Sequence, residues 1–343
     1  MRRKPNQIYR KILREIEKEI ESHPNYADLH NQLGLLFIAQ GDQRKAESHF
    51  IEALRINPNY QEAAWNLGCL YREMGRRTEA EKIFLAGLKK SPKEGHLHHL
   101  LGMVYLKEGR KREALSQMRK AIQCCSYYVD FYKKNGFWKK GRLDPGVKAE
   151  EFLRRFPQNY YFAQLYHFVG VYLAQKGNPT QAVQELKKAA KLSPDPFLFH
   201  ANLGAVYYSQ GDYRRAIREY KKALSLNPLY GMGYAHLSYI YGLIRRTKEA
   251  LLYMKKAVHL NPNYADLHYN LSLLYSDRKQ YEKAVSELKK ALRINSQYLL
   301  ARVNLGVLYE EQKKYPLAKK EYKKVLQINP DDEHIRKRLE RIS

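Results

Sequence analysis

The 343-residue sequence contains only three cysteines, and this scarcity excludes a scaffold built on disulfide bonds. Cys124 and Cys125 are adjacent and Cys69 is distant, so the chain has no paired Cys-x-x-Cys motif. It also has no apolar run of membrane-spanning length. Residues 1–22 have no continuous apolar segment of the kind found in signal peptides. We therefore expect a cytoplasmic protein.

The sequence also has none of the short motifs that mark common catalytic sites. It has no glycine-rich phosphate loop, no His-Glu-x-x-His pair, and no serine or cysteine nucleophile signature. We accordingly expect no enzymatic activity, no cofactor, no metal site and no small-molecule substrate.

Acidic residues are scarce relative to basic ones. The chain has 62 Lys and Arg against 35 Asp and Glu, for a formal net charge of +27. A field of this sign favours anionic partners and speeds their encounter with the protein, although it says little about the fold.

What the sequence does contain is an internal repeat of 34 residues. The prolines that follow Asn or Ser recur at separations that are multiples of this period: Pro58, Pro92, Pro194, Pro228, Pro262 and Pro330. The heptapeptide 24–30 also recurs letter for letter at 262–268. Repeats of this length are typical of stacked helix pairs.

One column of the repeat holds a small residue inside the first predicted helix of each unit. Its members are Gly34, Gly68, Gly102, Gly170, Gly204 and Gly306, with Ser238 and Ser272 as variants. Glycine costs about 1 kcal/mol inside a helix relative to alanine, so a recurring one predicts that another helix passes too close for a side chain. A column of alanines in the second helix, from Ala46 to Ala318, predicts the matching contact. A histidine column (His30, His98, His200, His268) favours packing over chemistry because the residue recurs with the repeat.

These columns resemble the tetratricopeptide repeat, whose signature is Leu-Gly, Tyr, Ala, an aromatic, Ala and Pro at fixed places. The resemblance covers residues 27–332, about nine units. It implies an all-α, right-handed superhelical solenoid of helix-turn-helix units, with capping helices at both ends.

We divide the chain into five segments on this pattern. They are an N-terminal capping helix in 1–26, units one to three in 27–128, a degenerate unit in 129–162, units five to nine in 163–332, and a C-terminal capping helix in 333–343. The stripe of isoleucines in residues 6–22 is also typical of a membrane-surface or partner helix. The degenerate unit has Lys148 in the alanine column and is a predicted hinge.

The degenerate unit contains the one segment in which basic and aromatic residues alternate locally. The candidate anion-binding residues of this segment, 129–142, are Lys133, Lys134, Trp138, Lys139 and Lys140. Such a composition suits the stacking of bases beside phosphates. It is equally typical of a degenerate repeat whose aromatics fill a poorly packed core.

The family resemblance also implies a concave groove lined by the first helices of the units. In the superhelical domain of O-linked N-acetylglucosamine transferases, asparagines before the Leu-Gly pair hold the backbone of an extended peptide. The candidate groove residues here are Asn66, Asn202, Tyr208, His236, Tyr239, Tyr269, Asn270 and Asn304. An amide suits this work because it is both donor and acceptor. The other interpretation is that asparagine is simply common at this place.

The second helices carry a recurring pair of lysines, expected to form a ridge on the outer surface. Its members are Lys187, Lys188, Lys221, Lys222, Lys255, Lys256, Lys289, Lys290, Lys323 and Lys324. Such a ridge suits the phosphates of RNA or an anionic membrane, or is simply a solvated face.

The function that we predict is a non-catalytic interaction scaffold, with a peptide segment of a partner protein in the concave groove, mostly along residues 197–310. The alternative is an RNA or anionic-surface binder that uses the lysine ridge or segment 129–142. Salt separates the two hypotheses, because phosphate contacts weaken steeply as salt rises.

Overall fold

The computed structural model describes residues 7–125, 127–134, 137–139, 141–144, 160–193 and 196–342. Except for one short hairpin, the secondary structure of these residues is helical, and successive helices pack in pairs. The predicted all-α class is therefore correct. The chain divides into two compact units, with residues up to Val206 in unit 1 and residues from Tyr207 in unit 2.

Unit 1 contains the N-terminal helix, three regular helix pairs, a hairpin and a fourth pair. Its elements are α1 (Gln7–Ser22), α2 (Ala27–Gln40), α3 (Gln43–Ile56), α4 (Gln61–Glu73), α5 (Arg77–Lys90), α6 (Gly95–Lys107), α7 (Lys111–Cys124), α8 (Tyr127–Lys134), β1 (Trp138–Lys139), β2 (Arg142–Leu143), α9 (Tyr160–Gln175), α10 (Pro179–Leu192) and α11 (Phe197–Ser209), the last of which crosses the boundary.

Unit 2 continues the regular pattern to the end of the described chain. Its elements are α12 (Tyr213–Leu226), α13 (Gly231–Leu243), α14 (Thr247–Leu260), α15 (Ala265–Ser276), α16 (Tyr281–Ile294), α17 (Leu299–Glu311), α18 (Tyr315–Ile328) and α19 (Glu333–Arg341). The helix α19 packs against α18 through Ile335, which is almost fully buried. It occupies the place predicted for the C-terminal cap.

The small-residue column lies where the two helices of a pair approach most closely. A Cβ placed on Gly34 would lie 2.4 Å from the Phe50 ring, and one on Gly306 would lie 2.5 Å from Tyr322. In the variant Ser238, the hydroxyl donates to the carbonyl of Ala250 at 2.7 Å. The predicted close approach is confirmed, and it explains why glycine persists despite its cost in a helix.

The turn inside each pair requires a left-handed backbone. Gly41, Gly75, Gly109, Gly177 and Gly211 supply it with φ between 73° and 81°. In the last three repeats, by contrast, Arg245, Lys279 and Lys313 adopt φ of 56–59°. A residue with a Cβ adopts this conformation only at a steric cost. The packing of the two helices must therefore stabilise the turn enough to offset that cost.

In unit 1 the N-terminal helices contact the helix pair that follows the hairpin, α9 and α10. The N-terminal helix α1 packs on α2 and buries Ile12 and Ile16, as expected of a cap. It also reaches the last pair, since the Tyr9 hydroxyl donates to Glu185 of α10 at 2.6 Å. The helix α9 packs directly against α2 and α4.

The degenerate unit departs from the helix-turn-helix pattern. Its first helix ends at Lys134, and Trp138 and Lys139 then pair antiparallel with Leu143 and Arg142. Residues 145–159, including Lys148, lie outside the described residues. The boundary between the two compact units falls after Val206. The hinge in 129–162 stays a prediction.

Candidate functional site

The predicted groove residues of unit 2 lie together on the first helices of its pairs. We call this surface the first-helix face and define it by the half-buried side chains of His236, Tyr239, Tyr269, Asn270 and Asn304. The His236 and Tyr239 rings lie 6.3 Å apart. Hydrogen bonds link the remaining members, so that the face is continuous from α13 to α17.

The two asparagines of this face hold neighbouring repeats together through their amide nitrogens. Asn270 donates to the Tyr239 hydroxyl at 3.1 Å, and Asn304 donates to the Tyr269 hydroxyl at 3.3 Å. Each Nδ2 also donates to the carbonyl four residues earlier, on Asp266 or Leu300. Within the described part of unit 2, neither Oδ1 has a hydrogen-bond donor. The amides therefore offer a ligand an acceptor, whereas the sequence had suggested both donor and acceptor.

Tyr208, also predicted for the groove, is 39% exposed. It lies close enough to Tyr239 to contribute to the raised pKa of the Tyr239 hydroxyl. Burial is the main cause that raises the pKa of Tyr239, and the nearby Asp266 and Tyr208 add to it. Tyr208 thus extends the aromatic surface beside α13.

Sequence reasoning missed two residues of this surface, Asp266 and Tyr298. Asp266 lies in the first turn of α15 and is exposed, while Tyr298 directly precedes α17. Burial raises the pKa of Tyr298, and the nearby Asp266 carboxylate adds to it. The Tyr298 and Tyr269 rings are 5.3 Å apart. The repeated heptapeptide, which contains Asp28 in one copy and Asp266 in the other, was the available signal.

In unit 1 the first asparagine of the column, Asn66, is buried, whereas Asn202 is half-buried. Asn66 has no exposed surface and donates to Asn31 Oδ1 at 2.9 Å, and Asn31 is itself 4% exposed. The expectation that Asn66 lines an open groove is therefore wrong for this conformation. Its amide instead links two repeats in the interior of unit 1.

Asn202 is also committed to an inter-repeat contact. Its Nδ2 lies 2.6 Å from Nε2 of His167, 35 positions earlier in the chain. Burial lowers the pKa of His167 to about 4, so the ring is neutral near pH 7 and Nε2 accepts the hydrogen bond. Asn66–Asn31 and Asn304–Tyr269 are separated by the same 35 positions. A separation of 35 positions is therefore the sequence signal of a side-chain hydrogen bond between neighbouring repeats.

Charge is divided unequally between the helices of unit 2. The helix α13 carries no Asp, Glu, Lys or Arg, α15 carries only Asp266, and α17 carries Arg302, Glu310 and Glu311. Arg302 forms a buried ion pair with Glu321 at 2.9 Å. Each second helix has more basic than acidic residues. In unit 2 the excess of positive charge is therefore carried by the second helices and not by the first-helix face.

Many of the ridge lysines pair with a glutamate three residues earlier. Lys188, Lys222, Lys290 and Lys324 lie 2.6–3.1 Å from the carboxylates of Glu185, Glu219, Glu287 and Glu321. Two of these glutamates also contact a first helix: Glu287 bonds to His268 at 2.6 Å and Glu321 accepts from Arg302 at 2.9 Å. The four glutamates are buried, whereas the lysine side chains are 39–50% exposed.

Several lysines of the ridge lie over tyrosine rings. Lys221, Lys255 and Lys289 are 5.7–6.0 Å from the ring centres of Tyr241, Tyr275 and Tyr309, each 20 positions later. Lys188 and Lys256 lie 5.4 and 5.5 Å from Tyr166 and Tyr234. Lys187 and Lys323 are exposed. The regular lysine pair thus has a packing role, as cation–π contacts favour an ammonium above an aromatic face.

The basic-aromatic segment is only partly described. Lys133 lies 5.9 Å from the Trp138 ring, and Lys139 forms an ion pair with Asp144 at 2.9 Å. Phe137 is buried, and Trp138 is half-buried. The side chain of Lys134 and the whole of Lys140 lie outside the described residues. The described aromatics of this segment thus serve the local core at least in part.

The histidine column has the packing role that the repeat predicted. His98 contacts Gln117 Oε1 at 2.6 Å through Nδ1 and the Pro92 carbonyl at 2.9 Å through Nε2. His268 makes the equivalent contacts with Glu287 and Pro262. Among the described residues, no three His, Cys, Asp or Glu side chains are placed to hold a metal ion. The described helices also include none that is both long and apolar enough to cross a membrane.

Comparison with known proteins gives one family repeatedly. Models described as tetratricopeptide repeat or TPR repeat match residues 37–104, 95–123, 172–211, 197–230, 233–264, 253–286 and 277–342. These matches together cover most of the chain. No curated protein matches the chain significantly.

Similar solved structures include several tetratricopeptide proteins. MamA from Desulfovibrio magneticus RS-1 is 24% identical over 50% of this chain and 97% of its own, with a TM-score of 0.46. TTC0263 from Thermus thermophilus is 27% identical over 52% and 98%, with a TM-score of 0.39. A chain of the Cut9–Hcn1 hetero-tetramer of the APC/C is 16% identical over 90% and 55%, with a TM-score of 0.43.

Proposed function

Since this chain belongs to the tetratricopeptide repeat family, we propose that it is a non-catalytic interaction scaffold that binds an extended peptide segment on the first-helix face of unit 2. Repeat proteins of this kind expose long surfaces that suit extended ligands. The observation that carries the proposal is the pair of half-exposed amides, Asn270 and Asn304, whose Oδ1 atoms have no donor in the described part of unit 2. Backbone N–H groups of a peptide are the matching donors.

The chemistry of the face supports a peptide rather than an anion. Leu243 and Leu300 are more than half exposed beside the tyrosines, and α13 and α15 have no basic side chain except histidine. Burying these apolar and aromatic groups would provide most of the binding free energy. The amides would set the register of the peptide backbone.

The alternative, binding of RNA or an anionic membrane by the ridge, has weaker support. Many of its lysines already pair with carboxylates or lie over tyrosine rings. A phosphate would compete with these contacts. Binding by the ridge would also lose affinity steeply as salt rises, because phosphate contacts release counterions.

The experiment uses the full chain and two probes, a displayed library of random dodecapeptides and a polyuridine oligonucleotide. Selected peptides are then synthesised and titrated at low and at high salt. We expect Asn270→Ala with Asn304→Ala to weaken them about tenfold, since two hydrogen bonds of roughly 0.5–1.5 kcal/mol each are lost. The matched control, Lys221→Ala with Lys289→Ala, should leave their affinity unchanged.

Two results would contradict the proposal. One is the failure of the library to yield any peptide that the full chain retains. The other is retention only of the oligonucleotide, lost at high salt and in the lysine variant, which would assign the function to the ridge.

A further inference from the structure

Asp266 is an exposed carboxylate in an otherwise uncharged part of the first-helix face. The sequences of α13 and α15 contain no other acidic residue. In the described part of unit 2, the ion pairs of the second-helix glutamates do not include Asp266. Arg302, the basic residue of α17, is held by Glu321. The negative charge of Asp266 therefore has no cationic side chain paired with it in the described part of this unit.

Three tyrosines lie near this residue. The backbone carbonyl of Asp266 accepts from Asn270 Nδ2, which also donates to the Tyr239 hydroxyl. The Asp266 charge adds to the rise that burial causes in the pKa of both Tyr298 and Tyr239. Tyr269 lies on the same helix as Asp266, with its ring 5.3 Å from that of Tyr298. Asn270 and Asn304 hold the hydroxyls of Tyr239 and Tyr269. The rings are thus held in place before any ligand arrives.

A carboxylate beside several aromatic faces is the arrangement that an organic cation prefers. The exposed carboxylate has acceptor sites for a ligand, because its two oxygens together have about four. The ring faces attract an ammonium or a guanidinium through their quadrupoles. A guanidinium additionally suits a bidentate contact with a carboxylate.

We propose that Asp266, with Tyr239, Tyr269 and Tyr298, forms a subsite for a lysine or arginine side chain of the bound peptide. The inference rests on the proposed function, because it names a residue of the peptide that the first-helix face binds. It makes the preferred occupant a segment with one basic residue among apolar or aromatic ones. The positive charge of the second helices disfavours a segment with many basic residues.

The chain provides a matched control in the other copy of the heptapeptide. Asp28 is also exposed and also lies near a tyrosine: burial raises the pKa of Tyr60, and the carboxylates of Glu62 and Asp28 add to it. In that copy, however, the Tyr60 hydroxyl accepts from the buried Asn31 at 3.4 Å, and Glu62 adds a second carboxylate. The Asp-Tyr pair is therefore common to both copies, whereas the half-exposed tyrosine cluster belongs to Asp266.

The test selects random dodecapeptides on the full wild-type chain, on Asp266→Asn and on Asp28→Asn. Wild type and Asp28→Asn should enrich a lysine or arginine at a fixed distance from an apolar residue, and Asp266→Asn should not. For one selected peptide, arginine replaced by citrulline, or lysine by norleucine, should lose about tenfold in affinity for wild type. The same replacement should cost Asp266→Asn less than about twofold.

The outcomes separate the subsite from the wider proposal. Peptides retained by wild type without a basic preference would overturn the subsite and leave the groove proposal standing. A library that yields no retained peptide would overturn both. Loss of the basic preference in Asp28→Asn as well would assign the effect to the folding contact and so overturn the subsite. Tyr298→Phe, which keeps the ring, should retain the preference.

Discussion

Two asparagines that precede the Leu-Gly pair, one in each unit, lie in opposite environments. In unit 1, Asn66 is fully buried and donates to Asn31. In unit 2, Asn304 is half-exposed and its Nδ2 donates to Tyr269 and Leu300. The same column of one repeat therefore contributes to an interior in one unit and to a surface in the other.

The reason lies in the packing of unit 1. The helix α9 packs on the first helices α2 and α4, and the Tyr161 hydroxyl donates to Glu73 at the end of α4. At its other end, Tyr172 donates to Glu15 of α1. These contacts bury polar groups of unit 1, some of which have partners there, such as Asn31 Oδ1, whereas Oδ1 of Asn66 and Oε1 of Glu73 have none among the described residues. The position in the repeat therefore determines where a side chain points, whereas longer-range packing determines whether that side chain is accessible.

The largest difference should appear on acidification. Burial lowers the pKa of His167 in unit 1 to about 4, against 6.5 in an unfolded chain. The unfolded state therefore binds more protons between these values, so stability is full above pH 6.5 and falls as pH decreases toward 4. One fully expressed shift of this size corresponds to roughly 3 kcal/mol.

The measurement is urea unfolding of wild type and His167→Gln at neutral pH and at a pH just above the folded-state pKa of His167. Glutamine keeps an acceptor for Asn202 but does not titrate, so the variant should lose less stability over this interval. The difference between the two chains isolates His167 from Glu62 and Glu73, whose pKa values burial raises and which act in the opposite sense. Equal losses in both chains would show that His167 is not the acid-sensitive group.

A smaller difference should separate two tyrosines that each face a carboxylate. Tyr161 is 4% exposed, and burial raises the pKa of its partner Glu73. Tyr161→Phe leaves this buried carboxyl without its donor and should cost about 2 kcal/mol. Tyr298 faces the exposed Asp266, so Tyr298→Phe should cost under about 0.5 kcal/mol, because water replaces the hydroxyl.

Urea unfolding measures the size of this effect, and hydrogen exchange shows where in the structure it occurs. In Tyr161→Phe the amides of α4 and α9 should exchange faster than in wild type, while those of α15 and α17 are unaffected. Similar costs for the two variants would mean that Glu73 is as well solvated as Asp266, and the contrast between the units would fail.

The sequence predicted the contacts that recur with the period and missed those that do not. The approach of Gly34 to Phe50 and the histidine bridges join residues less than one period apart, so they recur in several repeats. The contact of α9 with α2 joins segments more than a hundred positions apart and occurs once, so no column marks it. The hairpin at 138–143 likewise interrupts the period. For the ridge, a glutamate three residues before four of the five second lysines was visible in the sequence, but its pairing required the helix geometry.

The asparagine column itself provides the sharpest test, although the expected effect is smaller. Asn66→Ala removes the donor of the buried Asn31 Oδ1 and should cost about 1.5 kcal/mol of unfolding free energy, the penalty of an unsatisfied buried acceptor. Asn304→Ala, at the same place in the repeat, breaks a 3.3 Å bond at a half-exposed site and should cost about 0.5 kcal/mol. Peptide affinity should respond in the reverse order, with Asn304→Ala weakening a selected peptide several-fold and Asn66→Ala leaving it unchanged. Urea unfolding and peptide titration on the same two variants measure both quantities. If Asn66→Ala weakened the peptide and Asn304→Ala did not, the accessible groove would belong to unit 1, and the burial that distinguishes the two units would not govern binding.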